Sequence, residues 1–279
     1  MPSQCFDVLV LAGRRDSNDE LARAAGASHR ALLDLAGVPM VARMLLTLAS
    51  YPRTGAILLC SDAPDLMTSV PEVAELVAQS RVRLLPAKES PSLSVLAGLE
   101  AFAGEAAAGN PVLVTTADHA LLDHAMLDHF LDAACRGGAD MLVGLVSETL
   151  IAERFPDAKR TYVPFRGGRY SGANLFAFMN PAAREMARFW RNAERHRKRP
   201  WRMVSTFGLV SLLLFIARRL DLASAFRRVS DLVGVEVAAV LMPTAEAAVD
   251  VDKLSDWELV NEIFAERAEV ERAENSPLG

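Results

Sequence analysis

Cysteine is scarce in this chain of 279 residues. Cys5, Cys60 and Cys135 are odd in number and widely spaced, and none belongs to a Cys-x-x-Cys pair or to a Cys/His cluster. This spacing argues against a disulfide-stabilised secreted domain and against a thiolate zinc site. The first residues also lack the charged and apolar regions of a signal peptide. We therefore expect reduced thiols, with Cys60 in a buried strand, and a cytoplasmic protein.

The chain has no excess of positive charge and no common phosphate-binding glycine motif. It carries 30 basic and 35 acidic residues, a formal net charge of −5, whereas domains that neutralise nucleic-acid backbones are usually rich in Lys and Arg. We therefore expect no nucleic-acid partner. The Gly-x-Gly-x-x-Gly and Gly-x-x-x-x-Gly-Lys-Ser/Thr patterns are both missing, which argues against a dinucleotide-dependent oxidoreductase and a P-loop NTPase.

A long apolar run is missing as well. The apolar segment 203–217 is shorter than the roughly 20 residues that a bilayer-spanning helix needs. It follows a basic cluster made of Arg195, Arg197, Lys198, Arg199 and Arg202. A basic patch beside an apolar helix is typical of an interfacial membrane anchor, but a core helix with a solvated lead-in has the same composition. For residues 195–217, both a peripheral membrane contact and a homodimer surface therefore stay open as interpretations.

Apolar strand-like runs alternate with helix-like segments through the first half of the chain. With 51% hydrophobic residues, the chain can bury a large core. The strand-like runs are 6–12, 56–60, 82–85, 112–116 and 141–146. The helix-like segments between them are 40–48, 73–78, 93–102 and 126–134. This alternation predicts an α/β fold: a Rossmann-like, mainly parallel sheet built from right-handed βαβ units, with helices on both faces.

The second half of the chain departs from this rhythm. Strand-like runs at 161–165 and 175–178 are followed by a helical block of about 182–230, then by a last strand at 235–241 and a closing helix. We expect a single domain over residues 1–265, with the block at 182–230 as a helical insertion. The charged tail, 266–279, is expected to fray.

Asp118 is the first residue to which the sequence assigns a function. The run Val112-Leu-Val-Thr-Thr116 reads as a buried parallel strand, and Asp118 follows two residues after its end. Open α/β sheets bind ligands outside the carboxyl ends of their strands. The alternative is that Asp118 only caps the following helix, because Asp is a favoured N-cap residue.

The end of the first strand offers a second candidate site. Leu11, Ala12 and Gly13 are followed by Arg14 and Arg15. A glycine after a first strand allows the backbone to approach a phosphate closely, and arginines supply charge and planar donors. A tight turn with solvated arginines is the alternative interpretation of the same residues.

Motifs spread over most of the chain resemble one family. Leu11-Ala-Gly13 is followed by Arg30-Ala-Leu-Leu33 and Gly37-Val-Pro-Met40. Further on come Ser94-Val95 with Gly98-Leu99, then Thr116-Ala-Asp118, and finally Val249-Asp-Val-Asp252 with Asp256-Trp-Glu-Leu259. Together, and in this order, they resemble the MobA-like NTP transferase (nucleotidyltransferase) family, which includes molybdenum cofactor guanylyltransferase and sugar-phosphate or alcohol-phosphate nucleotidylyltransferases.

The resemblance implies a GT-A-like nucleotidyltransferase fold and a Mg²⁺-dependent reaction between an NTP and a phosphorylated small-molecule acceptor, with release of pyrophosphate. It implies metal binding by Asp118 together with Asp252 or Asp250, and we expect only one of the latter two to face Asp118. It places the nucleotide on Leu11, Ala12, Gly13, Arg14, Arg30, Ser94 and Asp118. Arg14, Arg15, Arg30 and Asp118 become the catalytic candidates. Both CTP and GTP stay open as the nucleotide.

The acceptor is expected near the segment 159–174, with Lys159, Arg160 and Asn174 as its contacts. For Gly167 and Gly168 in this segment, a turn between two strands is the favoured interpretation.

Departures from the family pattern keep two other functions open. The loop after the first strand has Gly13 but no further glycines, and Arg30 stands where the family has a lysine. His119-Ala120 follows Asp118 in place of the usual residue and proline. Arg binds phosphate as a planar fork rather than as a compact charge. One alternative is therefore a nucleotide-binding or regulatory homologue without turnover. The other is a GT-A-type glycosyltransferase, whose Asp-x-Asp motif should follow a mid-chain strand, whereas Asp250 and Asp252 come late in the chain.

Overall fold

The computed structural model describes residues 4–13, 19–104, 109–196 and 220–274. Eight strands of this part of the chain form one sheet, and a separate short hairpin holds two more. The sheet strands are β1 (Phe6–Leu11), β4 (Thr54–Ser61), β5 (Val82–Pro86), β6 (Val112–Thr116), β7 (Met141–Ser147), β8 (Val163–Phe165), β9 (Gly168–Phe178) and β10 (Val237–Leu241). The hairpin consists of β2 (Asp34–Leu35) and β3 (Val38–Pro39).

The sheet is mainly parallel, and its strand order reverses at β1. The order across the sheet is β10-β7-β9-β6-β1-β4-β5, with β8 paired to β9. β1 is parallel to both β4 and β6, β4 is parallel to β5, and β10 is parallel to β7. β9 runs antiparallel between β6 and β7. The chain therefore leaves β1 and β6 at the same edge, next to the point of reversal, where open α/β sheets bind their ligands.

Helices cover both faces of this sheet. In chain order they are α1 (Glu20–Ala24), α2 (Met40–Ser50), α3 (Pro64–Thr68), α4 (Pro71–Ala78), α5 (Pro91–Ala103), α6 (His124–Gly137), α7 (Glu148–Arg154), α8 (Arg184–His196), α9 (Leu222–Val233) and α10 (Leu254–Glu274). Side chains alternate along β1: Val8 and Val10 join the apolar cluster under α2, α4 and α6, whereas Leu9 joins the cluster under α5 and α8. This two-sided burial explains why the strands are nearly continuous apolar runs.

Glycine fixes the close packing of α5 on β1. Gly98 lies in α5 against Leu9, and a Cβ at Gly98 would stand 2.5 Å from Cδ2 and 3.1 Å from Cγ of that leucine. Leu9 is fully buried. Glycine at this position therefore lets the helix approach the strand that leads into the candidate site.

The predicted α/β class, with a mainly parallel sheet and helices on both faces, is confirmed. The main difference lies in β9, which begins at Gly168 rather than at 175. The reason is a hairpin: β8 pairs with the start of β9, and Gly167 makes the turn between them with φ +97°. Gly167 and Gly168 thus belong to the hairpin that the sequence favoured, Gly167 in its turn and Gly168 as the first residue of β9.

Parts of the predicted organisation lie outside the described residues. Residues 197–219, which include the apolar run 203–217, belong there, so the helical insertion is represented by α8 and α9 alone. The division into a domain over 1–265 and a tail stays a prediction; α10 continues past residue 265 to Glu274. Among the helices of the described residues, none has the length and apolar character to cross a membrane.

Candidate functional site

A small pocket lies at the carboxyl ends of β1 and β6. Its volume is about 40 Å³, enough for a few water molecules or an ion but not for a whole nucleotide. The lining residues come from the strand ends and from the segment before α2: Leu11, Ala12, Gly13, His29, Arg30, Ala31, Met40, Ala117 and Asp118. Five of the predicted nucleotide-binding residues, Leu11, Ala12, Gly13, Arg30 and Asp118, therefore share one pocket.

The strand ends bring Asp118 together with the segment that contains Asp250 and Asp252. The backbone N–H of Val251 donates to the backbone oxygen of Asp118 at 3.1 Å. Val251 is fully buried between its two acidic neighbours. The expectation that only one of Asp250 and Asp252 faces Asp118 needs correction, because residues i and i+2 of an extended chain lie on the same side.

Crowding of these carboxylates shows in the pKa of Asp250. Burial raises this pKa, the negative charges of Asp252 and Asp118 raise it further, and Arg160 opposes them, with a result of about 6. The three acids predicted as metal ligands thus act on one another electrostatically. Across the ranges that the structure describes, however, no three His, Cys, Asp or Glu side chains are arranged so that they could hold a metal ion.

Arg30 lies in the pocket and is bound by acids on two sides. Its Nη1 donates to Oδ1 of Asp252 at 2.7 Å, and its Nε donates to Oδ2 of Asp19 at 2.9 Å. Burial lowers the pKa of Arg30, but the bonds and charges of Asp19, Asp252 and Asp118 raise it by more. The guanidinium is therefore always charged, and the side chain of Arg30, which is 25% exposed, lines the pocket.

His29 and Asp19 position Arg30, and neither of them was predicted as a site residue from the sequence. His29 is buried, and its Nδ1 accepts the N–H of Ala31 at 3.0 Å, so Nε2 carries the proton and donates to Oδ1 of Asp62 at 3.1 Å. Asp19 caps α1 through the N–H of Ala22 while it binds Arg30. An Asp before a helix is a recognisable cap signal, whereas His is not among the favoured cap residues.

Ser94 lies apart from the small pocket. It is buried in the first turn of α5, where its Oγ accepts the backbone N–H of Lys88 at 2.9 Å. The Cβ that Gly13 lacks would contact Ala87 at 3.4 Å, so the loops after β1 and β5 meet here. Ser94 is thus on the same edge of the sheet, on the β5 side of β1.

The predicted acceptor contacts have three different environments. Lys159 is exposed, and its backbone oxygen accepts a hydrogen bond from Nζ of Lys253. The guanidinium of Arg160 is only 6% exposed and lies between Asp250 and Asp256. Asn174 has a left-handed backbone, φ +49°, at a bulge of β9, between the residues that pair with β7 alone and those that pair with both β6 and β7. Arg14 and Arg15, the remaining predicted site residues, lie outside the described residues.

A sheet whose strand order reverses beside β1, with acids and an arginine at its carboxyl edge, is the architecture in which open α/β proteins bind their ligands. The chain belongs to the MobA-like NTP transferase domain family, whose model matches residues 8–203. It is accordingly a nucleotidyltransferase, as the sequence motifs predicted.

Solved structures show the same fold. A hypothetical transferase from Thermus thermophilus is 26% identical, with a TM-score of 0.72 over 91% of this chain and 100% of that one. The 4-diphosphocytidyl-2C-methyl-D-erythritol synthase of Anaerococcus prevotii is 11% identical, with a TM-score of 0.57 over 94% and 97%. A CMP:2-keto-3-deoxy-manno-octonic acid synthetase complexed with CTP is 12% identical, with a TM-score of 0.54 over 95% and 100%. A search of curated proteins by sequence found no match.

Proposed function

We propose that this nucleotidyltransferase moves the NMP group of an NTP to a phosphorylated small molecule and releases pyrophosphate, in a Mg²⁺-dependent reaction. The observation that supports this best is the hydrogen bond between Val251 and Asp118. It joins the end of β6 to the only Asp-x-Asp segment of the late chain, beside the charged Arg30. Acids and a guanidinium at a strand-end edge suit a reaction that needs anion neutralisation and alignment.

The carboxylates fit a magnesium ion by their chemistry. Mg²⁺ prefers oxygen ligands and is usually held by one or two carboxylates together with substrate phosphates and water, so a complete protein cage is not required. Asp118, with Asp252 or Asp250, would hold it. Burial and, after it, the negative charges of Asp252 and Asp118 raise the pKa of Asp250, and a divalent cation relieves this kind of charge crowding. When bound, the ion would polarise the phosphate oxygens of the nucleotide.

The other residues bind and orient the two substrates. Gly13 leaves space for the phosphates at the end of β1, and Arg30, with Arg14 and Arg15, neutralises the triphosphate and the departing pyrophosphate. An oxygen of the acceptor phosphate attacks the α-phosphorus, a new P–O bond forms, and the bond to the bridging oxygen breaks. Lys159 and Asn174 contact the acceptor. Ser94, in the first turn of α5, contacts the nucleotide on the side of the base.

The nucleotide is CTP or GTP in this proposal, and the chain's own residues do not choose between them. The synthetase with the same fold was solved with CTP, which supports including CTP in the test. We infer a phosphorylated acceptor because the exposed ammonium of Lys159, beside the site, can bind a phosphate group.

Pyrophosphate release tests the proposal directly. The protein is incubated with each of the four NTPs, Mg²⁺ and a panel of sugar and alcohol phosphates. We expect one pair to yield pyrophosphate, and Asp118→Asn to remove at least about 99% of the rate, a loss of the size seen when a charge-stabilising group is deleted. The surface variant Asp231→Asn on α9 is the matched control and should keep the wild-type rate. An Asp118→Asn enzyme with undiminished turnover would contradict the metal role.

A binding protein without turnover is the second candidate, and one contact favours it. Because Arg30 is bound to Asp252, this acid already has a charged partner from within the chain. In that case an NTP would raise the melting temperature while no acceptor yields pyrophosphate. Turnover of a nucleotide-sugar donor without pyrophosphate would instead indicate a glycosyltransferase.

A further inference from the structure

The backbone of residues 250–253 is fixed at four consecutive positions. The carbonyl oxygen of Asp250 accepts from Nη1 of Arg160 at 3.3 Å, and the N–H of Val251 donates to Asp118 at 3.1 Å. The N–H groups of Asp252 and Lys253 both donate to Oδ2 of Asp256, each at 3.2 Å. A segment outside any strand thereby has a hydrogen-bonded backbone group at each of four consecutive residues.

Arg160 reaches this segment a second time through its charge. Nη1 contacts Oδ1 of Asp250 at 2.5 Å, and Nη2 lies 3.3 Å from Oδ1 of Asp256. The side chains of Arg160 and Asp256 are 6% and 7% exposed, so little water competes for them. Nη1 is hydrogen-bonded to Asp250, whereas Nη2 faces Asp256 as an ion pair without a hydrogen bond. A planar guanidinium presents these two nitrogens to two acids at once, which the single ammonium of a lysine does not do.

Asp256 has a matching double role at the start of α10. It is the third residue of the helix, and its carboxylate reaches back to the N–H of Lys253, the residue before the helix, in the manner of a capping box. The same carboxylate faces Arg160 through its other oxygen. The direction of Asp250 and Asp252 is therefore tied both to the helix start and to Arg160.

We propose that Arg160 and Asp256 are positioning residues that set the direction of the Asp250 and Asp252 carboxylates, rather than contacts of the acceptor. The proposal rests on the function proposed above, because it assigns these carboxylates to the magnesium site. Arg160 contacts Asp250 and Asp256 through a side chain that is itself buried, so a substrate has little access to it. Arg30, in contrast, binds Asp252 from the pocket side.

Two variants test the pair from opposite ends. Arg160→Lys keeps the charge but loses the fork, and Asp256→Asn keeps an acceptor for the two N–H groups but loses the charge that faces Arg160. Arg154→Lys is the matched control, because Arg154 is 47% exposed and also binds two acids, Glu246 and Glu266. For each protein we would measure the melting temperature, kcat, the KM of both substrates, and Mn²⁺ affinity by electron paramagnetic resonance with a non-hydrolysable NTP present.

We expect Mn²⁺ affinity and kcat to fall about tenfold or more in both test variants, the usual effect of removing a group that orients a metal ligand. The KM values for NTP and acceptor should stay near those of the wild type, as should all values of the control. A lower melting temperature with unchanged kcat and Mn²⁺ affinity would show a purely structural role and overturn the proposal. An isolated rise in acceptor KM would overturn it as well, in favour of acceptor contact.

Failure of the proposed function gives a different result. If the wild type binds Mn²⁺ but releases no pyrophosphate with any substrate pair, the reaction is refuted, and the Mn²⁺ affinities of the variants still decide the positioning role. If the wild type binds no Mn²⁺ at all, both proposals are overturned.

Discussion

Replacement of Gly98 by alanine tests how closely α5 packs on β1. The added Cβ would lie 2.5 Å from Cδ2, 2.8 Å from Cδ1 and 3.1 Å from Cγ of Leu9. Because Leu9 is fully buried in a strand, the contact involves the branch point of the side chain as well as its ends. Overpacking of this kind costs about 1–3 kcal/mol.

A second glycine, at the end of the same helix, serves as the control for the overpacking cost at Gly98. Gly104 ends α5, and a Cβ there would meet only backbone oxygens at 3.7 and 3.8 Å, which is ordinary contact. Both substitutions reduce the conformational freedom of the unfolded chain, a gain of up to about 1 kcal/mol. We therefore expect Gly104→Ala to be neutral or slightly stabilising. Gly98→Ala should be less stable than Gly104→Ala by about 1–3 kcal/mol.

Urea unfolding followed by circular dichroism measures the difference. A double-mutant cycle with Leu9→Ala makes it specific: alanine at position 98 should be much better tolerated once the leucine branch is removed, with a coupling energy of about 1–3 kcal/mol. Equal stability of Gly98→Ala and Gly104→Ala, or the absence of coupling with Leu9→Ala, would refute the packing argument.

Two further predictions follow from the site and from the sheet. Arg30→Ala should weaken NTP binding in calorimetry by about tenfold or more, because a hydrogen bond to a charged group contributes about 1.5–3 kcal/mol; an unchanged affinity would remove Arg30 from the nucleotide site. Of the three cysteines, Cys5 and Cys135 are exposed, whereas burial raises the pKa of the Cys60 thiol. A thiol reagent at pH 8 should therefore modify two cysteines of the native protein and the third only after unfolding, and equal rates for all three would contradict this burial.

The sequence predicted those parts of the fold that depend on local patterns. Strand β6 has the predicted bounds, because a buried parallel strand is a plain apolar run ended by a polar residue. Glycine and proline likewise mark the boundary before α2: Gly37 has φ +82°, and α2 begins directly after Pro39. The early start of β9 was missed because its first residues, Gly168 to Gly172, are stabilised by pairing with β8 and β7. Cross-strand pairing is not visible in local composition.

The same distinction between local and long-range features applies to the site residues. Asp118 and Leu11–Gly13 follow strands, so the topology alone places them at one edge. The partners of Arg30 and Arg160 are different, because they join residues far apart in the chain: Arg30 and Asp252 are separated by 222 positions. No periodicity in the sequence reveals such pairs. Arginine is usually a surface residue, so the burial of the Arg160 side chain could not be predicted either.

The distance along the chain between Arg30 and Asp252 has a consequence for how the protein becomes active. During synthesis, β1, β4 and β6 can pair long before residue 252 has left the ribosome, since domains begin to form from their earlier parts. The partial protein then has Leu11–Gly13, Arg30 and Asp118 near the sheet edge, but not Asp252 beside Arg30. If Asp252 belongs to the metal site, as we propose, this site is completed only in a late step of folding, when the segment before the last helix docks, and a nascent chain would consume no nucleotide before that moment.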